Sequence, residues 1–487
     1  MCPSSTSSIN LTTSQKQVLD KMLHFVSDSS DRVFILKGYA GTGKTTLMRF
    51  FIHALSEDKK SFQLLASTGR AAKILANHTQ MVTSTIHSMI YEYSGFNQDV
   101  NAKDFTNVDA NGQLYLVFEE KSVEENDPER VYIVDEASMV SDVEEKDITQ
   151  AQFGGGWLLK TLLKYDCRPG SKFVFVGDPC QLPPVGQYTS PALSVDYFRS
   201  IGQSAQEAQL TEIMRQDDSN GIVHASKIIR DRYEQAPETQ SAYGTQRIWA
   251  KLPFRNNANI VLHSSLEDMQ ADYLQRYNVA GPNSVVFISY TNKECRRRSE
   301  SIRESLGLNG NIITENDLLL IIQNNINVGL MNGDMVQVLK VQPNTRITAS
   351  LRFREVRLRE IFTKIECSTL MLEDTLRQQR LNLDASQQHE LFVDFVMRMR
   401  KKGITPKDDK QKFDSALMND PFLNALRCVY GYSLTCHKAQ GGEWDHVYLN
   451  VPRNITFNPT KASYQWLYTA MTRARHYLHM VDDFYFE

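Results

Sequence analysis

Eight residues constrain this chain more than any others. Gly38-Tyr-Ala-Gly41-Thr-Gly43-Lys44-Thr45 follows a short apolar run, Val33–Lys37, and opens a helical pattern that runs from Thr45 to Leu55. A G-x-x-x-x-G-K-[ST] loop between a strand and a helix is a phosphate cradle. Its glycines let backbone N–H groups curl toward phosphate oxygens, and the start of the next helix adds its positive dipole end. Lys44 is placed to reach the β- and γ-phosphates and Thr45 to hold Mg²⁺, with Thr46 beside them at the helix start. A chain carrying this element in this context is committed to a parallel α/β sheet around a nucleotide.

The rest of the pattern agrees. Val33–Lys37, Gln63–Ser67, Val131–Asp135 and Phe173–Gly177 are short, bounded apolar runs separated by helical stretches, the rhythm of a buried parallel sheet. A second set, Val285–Ser289, Ser433–Cys436, Val447–Val451 and Leu478–Val481, predicts a second α/β domain. At 487 residues the chain is long enough for two to four domains. Two segments break the rhythm. Residues 92–130 are acidic, with an Asn111-Gly112 hairpin signal before the β-rich run Leu114–Phe118. Residues 331–420 hold strand-like pieces at Asp334–Val341 and Thr348–Arg354, then a polar helical stretch, Gln387–Lys402. Both read as insertions. The expected layout is a first domain at 1–91 and 131–204 with its insert at 92–130, and a second at 205–330 and 421–487 with its insert at 331–420.

The second half of a nucleotidase site lies at Val131-Tyr-Ile-Val-Asp135-Glu136, where a buried strand ends in two carboxylates. Asp135 suits Mg²⁺ and Glu136 suits the general base that orients or deprotonates water. Together with the loop, these residues predict hydrolysis of a nucleoside triphosphate.

Further strings, in order, resemble the motifs of superfamily 1 helicases, and within them the 1B branch of RecD-like and Dda-like enzymes. The resemblance covers nearly the whole chain. Leu11-Thr-Thr-Ser-Gln15 resembles the adenine-reading element, with Gln15 as the reader. Leu65-Ala-Ser-Thr68-Gly69-Arg70-Ala-Ala72 and Thr85-Ile-His87 resemble motifs Ia and Ib, which in that family grip the single strand. Thr68 and Thr85 are equally suited to cap helices, and the two roles can coexist. Val176-Gly-Asp178-Pro-Cys-Gln181-Leu-Pro-Pro resembles motif III, where Gln181 would sense the γ-phosphate. Leu210-Thr-Glu-Ile-Met-Arg215-Gln resembles motif IV, which implies that Arg215 faces the γ-phosphate. Ser289-Tyr-Thr291-Asn292-Lys resembles a strand-gripping motif, although Thr291 also fits a capped helix start. Thr435-Cys-His437-Lys438-Ala-Gln-Gly-Gly442-Glu443 resembles motif V, touching both strand and nucleotide. Thr472-Arg473-Ala-Arg475 resembles motif VI, which makes Arg473 the arginine finger and leaves Arg475 open to a surface ion pair.

The resemblance implies an α/β fold of two RecA-like P-loop domains, a β-hairpin insert in the first and an SH3-like barrel in the second. It implies ATP and Mg²⁺ as cofactors, single-stranded DNA and duplex junctions as partners, and 5′ to 3′ movement as a monomer driven by hydrolysis between the two domains. An RNA or RNA–DNA helicase, or a nucleic-acid-stimulated ATPase that remodels proteins without unwinding, are the competing readings. For a wedge, the Asn111-Gly112 turn is the candidate, with Phe105 and Tyr115 nearby; Arg296–Arg298 and Arg400–Lys402 are open to nucleic-acid contact or to solvation.

Composition limits what else the chain could be. A net charge of −3 excludes binding by bulk positive charge. The average hides an uneven distribution, because residues 92–130 alone carry ten acidic and three basic residues. Seven cysteines, at 2, 167, 180, 295, 367, 428 and 436, form no C-x-x-C pair and predict neither disulfides nor a zinc ribbon. With no signal-peptide pattern and no apolar run longer than Leu318–Ile322, a cytoplasmic protein without a membrane partner is expected.

Overall fold

The computed structural model describes residues 10–28, 30–96, 116–144, 151–153, 156–212, 220–238, 249–308, 312–378, 382–405 and 407–487. The chain divides into two compact units. The first comprises residues 1–90, 120–144 and 156–219 and the second residues 91–119, 145–155 and 220–487.

In the first unit, six strands form one sheet: β1 (Val33–Gly38), β2 (Phe62–Ala66), β3 (Thr83–Thr85), β6 (Val131–Asp135), β8 (Lys172–Gly177) and β9 (Ala205–Leu210). They run in the order β3-β2-β6-β8-β1-β9, with every recorded pairing parallel. β1, β6 and β8 are buried almost throughout, which is why they read as continuous apolar runs rather than alternating ones. Helices Thr13–Asp28 and Lys44–Glu57 lay Met22, Phe25, Leu47 and Phe51 against Phe34, Ile133 and Val174 to make the core. β9, which falls in the segment expected to begin the second domain, instead extends the first sheet beside β1. Its sequence, AQEAQL, buries alternate residues, as an edge strand does, and so lacks the apolar run of its neighbours.

The second unit contains a parallel sheet of β10 (Ile260–His263), β11 (Val285–Ser289), β17 (Ser433–Thr435), β18 (Trp444–Leu449) and β19 (Ala474–Val481), ordered β10-β19-β18-β11-β17. A second, antiparallel sheet joins β12 (Leu318–Ile321), β13 (Met335–Thr348), β14 (Leu351–Glu360), β15 (Glu366–Leu372) and β16 (Cys428–Tyr430). β12 and β16 flank the segment 331–420 and pair with each other, β12 also pairing with β13. The expected strand Thr348–Arg354 is two strands. Ala349 and Ser350, at φ of 48° and 61°, turn the chain between β13 and β14. Neither is a residue that advertises left-handed backbone, so the turn was silent in the sequence. The polar helical stretch is helix Ala385–Lys401, opened by an Asp384/Gln387 capping box. It packs Phe392, Phe395 and Met399 against Phe413 and Leu417 of helix Lys410–Met418.

A third small sheet, β4 (Tyr91–Phe96), β5 (Leu116–Glu120) and β7 (Ala151–Phe153), takes one strand from beyond residues 92–130. Tyr93 of β4 packs into the Phe392–Leu417 cluster. The Asn111-Gly112 turn, Phe105 and Tyr115 lie outside the described residues, as does Arg215. The six cysteines among the described residues are free, and Cys180 and Cys436 are buried packing residues. Among the described residues, no helix is long and apolar enough to cross a membrane.

Candidate functional site

The order β6-β8-β1 places three loops side by side at the carboxyl ends of adjacent parallel strands, the usual place for ligands in such sheets. β1 leads into the phosphate loop, where Gly41 and Gly43 both adopt φ of 79°, a backbone that a side chain would strain. At Gly38 a Cβ would fall 2.8 Å from both Lys44 Cγ and Thr42 Oγ1. The loop is held by its own groups. Lys44 Nζ donates to the carbonyls of Gly38 (2.6 Å) and Tyr39 (3.0 Å), and Thr42 Oγ1 donates to Tyr39 O at 2.8 Å. Gln15, only 4% exposed, donates from Nε2 to Thr42 O at 3.2 Å while its Oε1 accepts from Thr12 N. The expected adenine reader therefore abuts the loop, with both ends of its amide engaged. Thr45 and Thr46 are half-buried on the first turn of the helix.

At the end of β6, Glu136 takes a left-handed φ of 50°, and its N–H donates to Asp135 Oδ1 at 2.9 Å. Burial pushes the Asp135 carboxyl up to about 7, with the negative Glu136 adding to the rise; the Glu136 N–H and Lys44 oppose it. At the end of β8, Asp178 is buried and accepts from Cys180 N, and its carbonyl accepts from Gln181 N at 3.2 Å. A Cβ on Gly177 would meet Leu193 at 2.9 Å and Ser138 N at 3.1 Å, so this loop lies flush against the turn that follows Asp135-Glu136. Lys44, Asp135, Glu136 and Gln181 thus share one end of one sheet.

Farther along that sheet, Thr68 caps helix Gly69–Thr79 by accepting from Ala71 N at 3.2 Å, and Thr85 accepts from Ser88 N. Arg70 is 5% exposed and Gly69 is buried, so of these expected strand contacts Thr68 and Thr85 are the more open. Burial lowers His87 to about 4, which leaves a neutral ring suited to stacking.

In the second unit, Thr291 completes a capping box with Glu294, while Asn292, Thr435 and Lys438 line one recess together with Arg296, Gln378 and Tyr430. Arg296 is fixed there by Glu300 at 2.9 Å and by the carbonyls of Arg377 and Gln378. Burial lowers both His437 and Lys438. Arg473 is 4% exposed and bonds only neutral acceptors in its recorded contacts: Thr469 O, Gly442 O and Thr472 Oγ1, at 3.0, 3.4 and 3.3 Å. Arg475 is exposed and pairs with Glu443 at 3.5 Å and Asp445 at 3.6 Å, the surface ion pair left open above.

Two family models match the chain, one in each half. Residues 10–247 match the AAA domain family. Residues 430–481 match the UvrD-like helicase C-terminal domain, the stretch that holds Thr435, Gly442 and Arg473. These matches, with those to RecD2 and Dda that follow, support a superfamily 1B helicase. Over 217 residues it is 28% identical to the ATP-dependent RecD2 DNA helicase of Deinococcus radiodurans, covering 44% of this chain and 23% of that one. Over 207 residues it is 30% identical to the ATP-dependent DNA helicase Dda of Enterobacteria phage T4, covering 42% and 40%. An uncharacterised protein of Acanthamoeba polyphaga mimivirus is 22% identical over 95% of this chain and 98% of its own length. The matched stretches therefore span less than half of the two named helicases. A solved structure of Pif1 helicase from Bacteroides with ADP-AlF3 and single-stranded DNA overlays 98% of this chain and 93% of its own, at 15% identity and a TM-score of 0.49.

Two site features were hidden in the sequence. Tyr39 and Thr42, given no role by the motif, supply carbonyl acceptors that hold Lys44 and Gln15. Tyr430 and Gln378 reach the recess from distant segments, and only the pairing of β12 with β16 brings Tyr430 there. A Mg²⁺ ion fits the donor set of the first unit. Thr45 and Asp135 offer hard oxygen ligands, and Asp135 is a half-buried carboxylate whose charge desolvation and Glu136 oppose.

Proposed function

We propose that this chain is an ATP-driven DNA helicase that moves 5′ to 3′ along a single strand and parts the duplex ahead of it. The convergence of Lys44, Asp135, Glu136 and Gln181 at the ends of three neighbouring strands carries the reading. Lys44 would turn from the loop carbonyls to the β- and γ-phosphates, a low-cost exchange because those carbonyls are neutral partners. Thr45 and Asp135 would hold Mg²⁺, which neutralises charge on the phosphates. Glu136 would orient the attacking water, and Gln181 would register loss of the γ-phosphate. Gly442 and Glu443 border the proposed nucleotide contact of the second unit, where Arg473 would leave its three neutral acceptors to meet the γ-phosphate, with Arg215 in the same role. Thr68, Gly69, Arg70, Thr85 and His87 in the first unit, and Thr291, Asn292, Thr435, His437 and Lys438 in the second, would hold the strand. Two grips whose hold depends on nucleotide state convert hydrolysis into stepping. The antiparallel sheet around 335–372 would serve as the SH3-like insert, and β4-β5-β7 would carry the hairpin.

The reading is supported if single-stranded DNA stimulates ATP turnover and Lys44→Ala abolishes it. Retained turnover in Lys44→Ala would overturn the site assignment. Stimulation without strand separation would favour the protein-remodelling reading instead.

A further inference from the structure

Far along β19 from Arg473, three histidines and a carboxylate meet beneath a helix. Strand alternation puts them there: Tyr448 pairs with His479 across β18 and β19, and Val261 pairs with His479 across β10 and β19. His263 and His446, each two residues from such a partner, share the face of His479. Helix Leu266–Ala280 covers that face and presents Asp268, Asp272 and Arg276, four residues apart. His263 Nε2 lies 3.1 Å from His479 Nδ1, which lies 3.3 Å from Asp272 Oδ2. The three ligand atoms all fall within 4.8 Å of one another.

We propose that His263, His479 and Asp272 form a binding site for a divalent transition metal, Zn²⁺ above all, that pins helix Leu266–Ala280 to β10 and β19. Tetrahedral zinc with bonds near 2.0–2.1 Å sets its ligand atoms about 3.3 Å apart, which matches both measured separations. The surrounding shell is of the kind that orients metal ligands. His479 Nε2 meets His446 Nδ1 at 3.0 Å, His263 Nδ1 faces Asp268 Oδ2 at 3.7 Å, and Asp272 Oδ2 accepts from Tyr448 Oη at 2.6 Å and Arg276 Nε at 3.0 Å. Arg276 also lies 3.5 Å from His446 Nε2, and the Tyr448 ring stacks on His479 at 4.2 Å.

Hydrogen bonding among neutral rings leaves this junction short of protons for its acceptors. If His479 Nδ1 carries the proton, it faces two acceptors, His263 Nε2 and Asp272 Oδ2. If His263 Nε2 carries it, the bare His479 Nδ1 faces the carboxylate, and His263 Nδ1 faces Asp268 without a proton. In the first arrangement two acceptors share one proton, and in the second lone pairs are opposed. A cation at the centre would meet all three acceptors at once. The donors are two imidazoles and a carboxylate, a set suited to zinc.

The test uses the full chain, stripped with a chelator and titrated without nucleotide with Zn²⁺ or Co²⁺. One bound equivalent is expected, with a tetrahedral Co²⁺ ligand-field band, no thiolate charge-transfer band, and a higher Tm with Zn²⁺. His479→Gln and Asp272→Asn should each remove that equivalent while ATP turnover persists. Should His479→Gln fail to fold, His263→Gln at the strand end serves the same purpose. No binding above background, binding that survives these substitutions, or a thiolate band would overturn the proposal.

Discussion

Arg473 and Arg475 stand two residues apart in one string, yet their surroundings separate them. Arg473 is buried among neutral acceptors, whereas Arg475 is exposed between two carboxylates. Arg473→Ala is expected to lower kcat about a thousandfold with nucleotide binding largely kept. Arg475→Ala should change kcat by less than about threefold, since exposed ion pairs contribute little. Steady-state turnover and nucleotide titration of the two variants distinguish the roles. Asp135 supports a pH prediction. Its folded pKa, about 7, exceeds the unfolded value of 3.8, so the folded chain holds a proton that the unfolded chain releases over that interval. Stability therefore falls as pH rises from about 4 to 7, and the penalty is fully present above 7. Asp135→Asn should raise the nucleotide-free Tm at pH 8 by a few degrees while abolishing turnover, and the Tm gain should vanish near pH 4. Mg²⁺-nucleotide binding by the unaltered chain should weaken as pH drops below about 7, because the protonated carboxyl is a poor ligand. The loop and acid residues were legible because their chemistry needs fixed spacing. The partners of Lys44 and Gln15 were not, because backbone carbonyls leave no mark in a sequence.

Among the elements, the buried strands were the easiest to read. β1, β6, β8 and β11 match their apolar runs to within a residue or two, because a strand covered on both faces has no polar alternation to confuse it. β9 and the β13–β14 turn were missed for the opposite reason: an edge strand of AQEAQL and an Ala349-Ser350 turn carry ordinary surface residues. The helix Ala385–Lys401 was visible as helical, but its purpose emerges only from packing, where Phe395 is fully buried among Phe392, Phe413 and Leu417. Phe395→Ala should cost about 3–5 kcal/mol in the second unit, seen as an early transition in chemical denaturation. Tyr93 packs on the same cluster, so Tyr93→Ala should slow unwinding more than it slows DNA-stimulated ATP turnover. Equal slowing of both would mean that β4 has no separate part in strand separation.

For the whole molecule, the mildly acidic average conceals a division. Residues 92–130 carry a net −7, while residues 340–420 hold sixteen basic against twelve acidic residues. The chain as a whole is therefore no electrostatic sponge for nucleic acid, and the proposed grip on a strand would come from local sites such as the recess of Asn292, Arg296, Thr435 and Lys438. Affinity for single-stranded DNA should fall with salt along a shallow slope, reflecting few phosphate contacts. Fluorescence anisotropy across salt concentrations measures that slope. Two α/β units were legible from two sets of apolar runs, but the division at 91–119 and 145–155 was not, because the β4-β5-β7 sheet draws on segments far apart in sequence. Unwinding of forked duplexes with a single 5′ or 3′ tail, in DNA and in RNA versions, tests the central claim most directly. The account predicts ATP-dependent strand separation from the 5′-tailed DNA fork. Separation only from the 3′-tailed fork, only of RNA, or from no fork despite DNA-stimulated hydrolysis would contradict it.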